Sequence, residues 1–281
     1  MPATVAGDID KDRQEQIPKD SCMLTAGVDI GSRFVKAAIV DPERGLVGRA
    51  LVTTGFEPAE AAAQALALAK QQAGLAADAS LPTAATGAGQ REASFDAAVT
   101  DVAAAAAGAR HLVADCRLVL DVGAESARAI KLDEAGRVAN FALNEMCAAG
   151  AGSFVESMVR VLDASFGELD QWSLRSTGRA VITAQCAVFA ESEVVSLLHK
   201  PTPREDIAKA IFESIAARTA SLARRVGVAF PIAVVGGAAE SQGFVAALKR
   251  EFKSEAVFAP EAVRFAGAIG AALEARRRRE G

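Results

Sequence analysis

The chain has 281 residues, 51% of them hydrophobic, and a formal net charge of −4, enough for one large domain or two medium ones. Mild acidity argues against a nucleic-acid partner, and four cysteines in this length are too few for a disulfide framework. No apolar run has the length of a membrane span and no signal-peptide pattern opens the chain, so a cytoplasmic protein in a reducing compartment is expected, without membrane partners.

Residues 1–23 are polar and read as a flexible N-terminal extension that contains Cys22. Next comes VDIGSRFVKAAIVD at 28–41, and a second copy follows at 120–133, LDVGAESARAIKLD. Asp29 aligns with Asp121, Gly31 with Gly123, Lys36 with Arg128 and Asp41 with Asp133. In each copy an apolar strand runs into Asp-x-Gly, turns, and a second strand leaves. Gly45 and Gly136 then precede third apolar segments, LVGRALV and RVANFAL. Two β-hairpin units, each followed later by helices, predict two related α/β domains. The alanine-rich stretches 56–75 and 97–109 favour helix.

The chemistry of the repeated turn is specific. A glycine lets backbone N–H groups approach a phosphate closely. An aspartate beside it repels phosphate, but it can hold Mg²⁺ through water or orient a water for attack. Asp29 and Asp121 are therefore the candidate catalytic residues, with Gly31, Ser32 and Gly123 as candidate nucleotide-binding residues. The lysine-bearing phosphate loop G-x-x-x-x-G-K-[ST] is absent. A third glycine element, PIAVVGGAAESQGFVAAL at 231–248, reads as a strand, a Gly236–Gly237 turn and a helix. Gly236, Gly237 and Gly243 are expected against the adenosine. The small-residue segment AGAIGAAL at 266–273 suits a helix returning to the first domain, and RRRR at 276–279 a solvated helix end.

Two cysteines precede amphipathic segments. Cys147, in NEMCAAGAG at 144–152, stands before a stripe of Phe154, Val155, Met158, Val159 and Leu162. Cys186 stands before a segment whose apolar positions are Val188, Val194, Val195, Leu197 and Leu198. At a helix N-terminus, the partial positive charge and free N–H groups stabilise a thiolate. Spacing alone leaves inert buried cysteines and a metal role about equally open, because no C-x-x-C is present. Cys22 has no helix after it, and Cys116, in DCRLVLD, reads as a small buried residue. His111 and His199 are the only histidines and lie far apart in sequence. Glu191 and Glu193 read as acids that complement a helix dipole, and Lys36 as either a phosphate contact or a surface residue.

Taken in order, the two hairpins and VVGGAAESQG resemble the phosphate-1, phosphate-2 and adenosine motifs of the acetate kinase, sugar kinase, Hsp70 and actin superfamily. NEMCAAGAGSFVE, AQCAVFAESEVVSLL and VVGGAAESQGFVAAL narrow this. They look like the ATPase activators of 2-hydroxyacyl-CoA dehydratases and the ATPase subunits of benzoyl-CoA reductase, over about residues 24–275. The resemblance implies two duplicated actin/Hsp70-like (ribonuclease H-like) domains with an ATP cleft between them. The first would run from 24 to 113 and regain 262–278, and the second would cover 114–261 and carry the cluster cysteines.

It also implies ATP and Mg²⁺ as cofactors, and a [4Fe–4S] cluster held by Cys147 and Cys186. Such a cluster ordinarily needs four thiolates, so a dimer sharing it on its axis, two cysteines from each subunit, is expected. ATP would close the domains and move the helices that begin at these cysteines. The implied electron source is ferredoxin or flavodoxin. The implied acceptor is a cluster-containing acyl-CoA reductase or dehydratase component, and the implied partner in the dimer is a second ATPase subunit, identical or different.

The chain departs from the family pattern in two places. Where the activators commonly read DIGGQDSK it has DVGAESAR, and where they show CHARGA it has AAAAGA at 104–109. The DVGA form looks closer to a benzoyl-CoA reductase ATPase subunit than to a stand-alone activator. A small-molecule kinase and a non-catalytic nucleotide-binding scaffold are the other readings of the fold.

Overall fold

A computed structural model describes residues 24–144, 152–184 and 186–280. The chain divides into two units, Met1–His111 with Phe265–Gly281, and Leu112–Arg264.

In the first unit the order is β1 (Thr25–Ile30), β2 (Phe34–Asp41), β3 (Gly45–Thr53), α1 (Pro58–Gln72), β4 (Thr83–Thr86), β5 (Ala97–Ala98) and α2 (Asp101–Leu112). The alanine-rich stretch 97–109 therefore opens with a short strand before its helix begins. The sheet order is β3-β2-β1-β4-β5. β1, β2 and β3 are antiparallel neighbours, and β4 runs parallel to β1. Successive side chains point to opposite faces of a strand. Ala26, Val28 and Ile30 share one core with Ala62, Ala65 and Ala69 of α1. Gly27 and Asp29 belong to the other face, which meets the last helix (Ala266–Glu280, α8 below). A Cβ on Gly27 would lie 1.9 Å from the Ala268 carbonyl oxygen, so only glycine lets this small-residue helix sit so close.

The second unit contains β6 (Leu118–Val122), β7 (Ala127–Leu132), β8 (Val138–Asn144), α3 (Gly152–Val161), α4 (Phe166–Arg175), α5 (Ala187–Leu198), α6 (Arg204–Val226), β9 (Ile232–Val235), α7 (Gln242–Phe252) and β10 (Val257–Phe258); α8 then closes the first unit. Its sheet, β10-β9-β6-β7-β8, has the same strand arrangement as the first. The likeness extends to an irregularity. The β2–β3 register shifts between Ile39 and Val40, and the β7–β8 register shifts between Lys131 and Leu132. These positions have the same separation in sequence as Asp29 and Asp121. Asp41 and Asp133 both accept backbone N–H groups in the following turn, whose glycines, Gly45 and Gly136, have φ of 78° and 76°. A bulge in the same place in both copies is what a duplication leaves behind.

The core of this unit centres on α6, with Ile207, Ile211, Phe212 and Ile215 buried against β6, β7, α3, α4 and α7. The stripe Phe154, Val155, Met158 and Leu162 is buried as its spacing predicts. α5 differs. Its buried positions are Ala190 and Val194, while Val188 and Val195 are 65% and 41% exposed. Among the described residues no helix is long and apolar enough to cross a membrane.

Candidate nucleotide site and cluster cysteine

Asp29 ends β1 one residue before its turn, and antiparallel register sets it opposite Lys36. The Lys36 ammonium donates to Asp29 Oδ2 at 3.0 Å, with both side chains largely buried. Asp121 and Arg128 occupy the equivalent positions, and the guanidinium donates to Asp121 Oδ2 at 2.7 Å. Both turns close in the same way. Gly31 N–H donates to the Phe34 carbonyl and Gly123 N–H to that of Ser126. The first turn is braced from the end of β3, since Thr54 donates from its hydroxyl to the Gly31 carbonyl at 2.7 Å. Ser32 is exposed at its tip.

Each aspartate is approached by a glycine from the neighbouring parallel strand. Gly87 follows β4 with φ of 92°, and Gly236 follows β9 with φ of 88°. A Cβ on Gly87 would meet the Ile30 carbonyl oxygen at 2.5 Å, and one on Gly236 the Val122 carbonyl oxygen at 2.4 Å. Both conformation and space therefore require glycine. Gly237 is open, with nothing within 4 Å of where its Cβ would be. Gly243 differs from both. It is buried, its N–H donates to Asp170 Oδ1 at 2.8 Å, and a Cβ would strike Ser173 Oγ. It packs α7 on α4, with its donor already used by Asp170. The polar device beside it is Ser241, which caps α7 by accepting the Phe244 N–H and donates its hydroxyl to Asp170.

The second hairpin is tied to α3. Gly152 N–H donates to the Gly123 carbonyl and Ser153 N–H to the Ala124 carbonyl, both at 2.8 Å. The first-turn donors that a helix cannot satisfy internally are thus given to the turn beside Asp121. Ser153 Oγ is buried there without a hydrogen-bond partner among the described residues. Cys147 lies between Asn144 and Gly152 in sequence, outside the described residues, as does Cys22.

Cys186 is described. It is exposed and forms the N-cap of α5 in extended conformation, with no side-chain cap hydrogen bond and no acidic residue in the first turn. A sulfur ligand to an anionic cluster fits this position: the thiol is accessible, helix N–H groups follow it, and no first-turn carboxylate opposes the charge. Among the described residues no group of three or more His, Cys, Asp or Glu could hold a metal, so a cluster bound at Cys186 would need thiolates from elsewhere. Cys116 is fully buried beside β6, as expected of a structural cysteine.

The model of the BadF/BadG/BcrA/BcrD ATPase family matches residues 26–275. The chain belongs to that family. It is 34% identical over 254 residues to the 2-hydroxyisocaproyl-CoA dehydratase activator of Clostridioides difficile, covering 90% of this chain and 95% of that protein. It is 32% identical over 260 residues to one of the subunits of benzoyl-CoA reductase from Thauera aromatica, covering 89% and 92%. A solved structure of the activator of the 2-hydroxyisocaproyl-CoA dehydratase from Clostridium difficile with bound ADPNP superimposes with a TM-score of 0.85 at 33% identity, over 92% of this chain and 96% of that one.

With the family in place, two kinds of residue missed by the sequence reading stand out. Gly87 is the counterpart of Gly236, signalled by a strand, TAAT, running into Gly-Ala-Gly. Lys36 and Arg128 align in the repeat, yet their contact with the two aspartates follows only from the strand register.

Proposed function

We propose that the protein is an ATP-hydrolysing iron–sulfur protein that drives one-electron transfer from ferredoxin or flavodoxin to a cluster-containing acyl-CoA dehydratase or reductase component. The single observation that carries this reading is family membership across residues 26–275, to which the geometry adds the duplicated Asp–cation hairpins and the exposed Cys186. Asp29 and Asp121 would hold Mg²⁺ through water, and one of them would orient the attacking water. The turns at Gly31 and Gly123, whose own N–H groups close them, would offer phosphate the N–H groups at their tips, such as that of Ser32, and Gly236 and Gly237 let the chain approach the nucleoside. Lys36 and Arg128 hold the two carboxylates in place, and their cationic heads can turn toward phosphate when it arrives. Cys147 and Cys186 would hold the [4Fe–4S] cluster with the same pair from a second subunit; the cluster supplies a one-electron carrier. α3, which begins at Gly152 five residues after Cys147 in sequence, and α5, capped by Cys186, would link hydrolysis to the transfer: α3 is hydrogen-bonded to the Gly123 turn, so a change at the phosphates has a short path along the chain toward Cys147.

Between the two forms of this function, we favour the stand-alone dehydratase activator, because the chain covers 95% of the activator's length at 34% identity. The altered loop DVGAESAR supports the benzoyl-CoA reductase-type ATPase subunit as the second reading. The test is to purify the chain alone and with a candidate sister ATPase subunit, and to assay ATP hydrolysis and ATP-dependent activation of a 2-hydroxyacyl-CoA dehydratase component. Hydrolysis and activation by the chain alone support the activator. Hydrolysis only with the sister subunit supports the reductase form, and phosphorylation of a small substrate without iron would replace both with a kinase.

A further inference from the structure

The peptide that leads into Cys186 is held from both sides by side chains of opposite charge. Glu193, on α5, accepts three hydrogen bonds from it: Thr183 N–H at 2.7 Å, the Thr183 hydroxyl at 2.6 Å and Ala184 N–H at 3.2 Å. Arg218, on α6, donates to the Ala184 carbonyl at 2.6 Å. The Arg218 guanidinium also stands over the Phe154 ring, 4.7 Å from its centroid, and Phe154 is the third residue of α3, whose first two N–H groups are bonded to the Asp121 hairpin.

Each feature has a physical consequence. Charge-assisted hydrogen bonds are shorter and stronger than neutral ones, and this short segment has them on both its N–H and its C=O side, at the half-buried Ala184. Glu193 lies two helical turns beyond Cys186, so its carboxylate folds the incoming chain back along α5 and sets the angle at which the chain enters the N-cap. A planar guanidinium can face an aromatic ring and still donate from its edge. Arg218 therefore touches the helix docked on the hairpin and the peptide before the cysteine at once.

We infer that Glu193 and Arg218 are positioning residues for Cys186, clamping residues 183–184 and referring their place to α3. The inference rests on the reading of Cys186 as a cluster ligand. Groups that orient a ligand from behind typically change metal retention by about 10–100-fold when removed. Neither residue belongs to the nucleotide machinery, so ATP affinity is the control.

The experiment uses the full chain, reconstituted anaerobically with iron and sulfide, as wild type, Glu193→Ala, Glu193→Gln, Arg218→Ala, Arg218→Lys and Cys186→Ala. Two quantities are read: hydrogen exchange of the peptide spanning residues 180–187, and the rate of iron loss to a chelator. The expected result is faster exchange at 183–184 in the two alanine variants and iron loss roughly tenfold faster, with unchanged ATP affinity. The Gln and Lys variants, each keeping part of its hydrogen bonding, should fall between, which a misfolded variant would not do. Wild-type iron retention in both alanine variants, with Cys186→Ala losing its iron, overturns the clamp alone. Full iron retention in Cys186→Ala overturns the cluster reading and the clamp with it.

Discussion

Gly87 lies against Asp29: a Cβ added to the glycine would stand 2.7 Å from Asp29 Oδ1, just as one on Gly236 would stand 2.8 Å from Asp121 Oδ1. The carboxylate proposed to hold metal-bound water is thus placed by the absence of a side chain on the next strand. Both glycines also have positive φ. Gly87→Ala and Gly236→Ala are each expected to cost about 1–3 kcal/mol through strain and overpacking, and to lower ATP turnover by displacing the aspartate. Thermal melts and steady-state ATPase assays check this; wild-type values in both would show that the close approach is unimportant.

The two aspartates and their cations separate chemistry from stability. Asp29→Asn and Asp121→Asn keep size and lose charge. The one that orients the attacking water should lower kcat by about 10²–10⁴-fold, with nucleotide still bound by calorimetry. Lys36→Ala and Arg128→Ala should cost about 1–3 kcal/mol of stability, since each leaves a largely buried carboxylate without its cation, and should raise KM for ATP.

Ser153 carries a buried hydroxyl without a partner among the described residues, next to the turn at Ala124. An unsatisfied buried polar group is unfavourable by about 1–3 kcal/mol. Ser153→Ala should therefore be neutral or stabilising without nucleotide. If the hydroxyl serves the phosphate site, the same variant should weaken ATP binding. Denaturant melts with and without ATP distinguish the two.

Glu193 gives a pH signature. Its hydrogen bond from the Thr183 side chain, together with those from the Ala184 and Thr183 amides, outweighs desolvation and holds its carboxyl below the ordinary value of 4.5. A depressed folded-state pKa contributes stability above the unfolded value and loses it as pH falls through the folded one. The stability difference between wild type and Glu193→Gln should thus be constant near neutrality and shrink only below about pH 4.5. A difference that changed between pH 6 and 8 (about the range where histidine titrates) would assign it to another group.

The hairpins are legible in the sequence because two constraints coincide there. A short strand, buried at every position but its aspartate, meets a turn that needs Asp-x-Gly, and the pattern occurs twice. Gly87 escapes such a reading because its strand, Thr83–Thr86, is short and made of threonine and alanine, without the bulk that marks β9. The repeat spacing gives no help, since four helices, α3 to α6, stand between β8 and β9 where the first unit has α1 alone between β3 and β4. On α5, composition misleads. Val188, Val194 and Val195 are all apolar positions in the sequence, yet of these three only Val194 is buried, with Ala190 beside it on the inward face. Gly243 stands in a glycine-rich motif, and only tertiary packing shows that its N–H is given to Asp170.

The central claim is that this ATPase-family chain carries an iron–sulfur cluster on Cys147 and Cys186. Iron and acid-labile sulfide, measured on anaerobically purified protein, test it most directly. About four irons per dimer, lost in Cys147→Ala and in Cys186→Ala but kept in Cys116→Ala, is the result this account predicts. No iron in the wild type after anaerobic purification and reconstitution would contradict it.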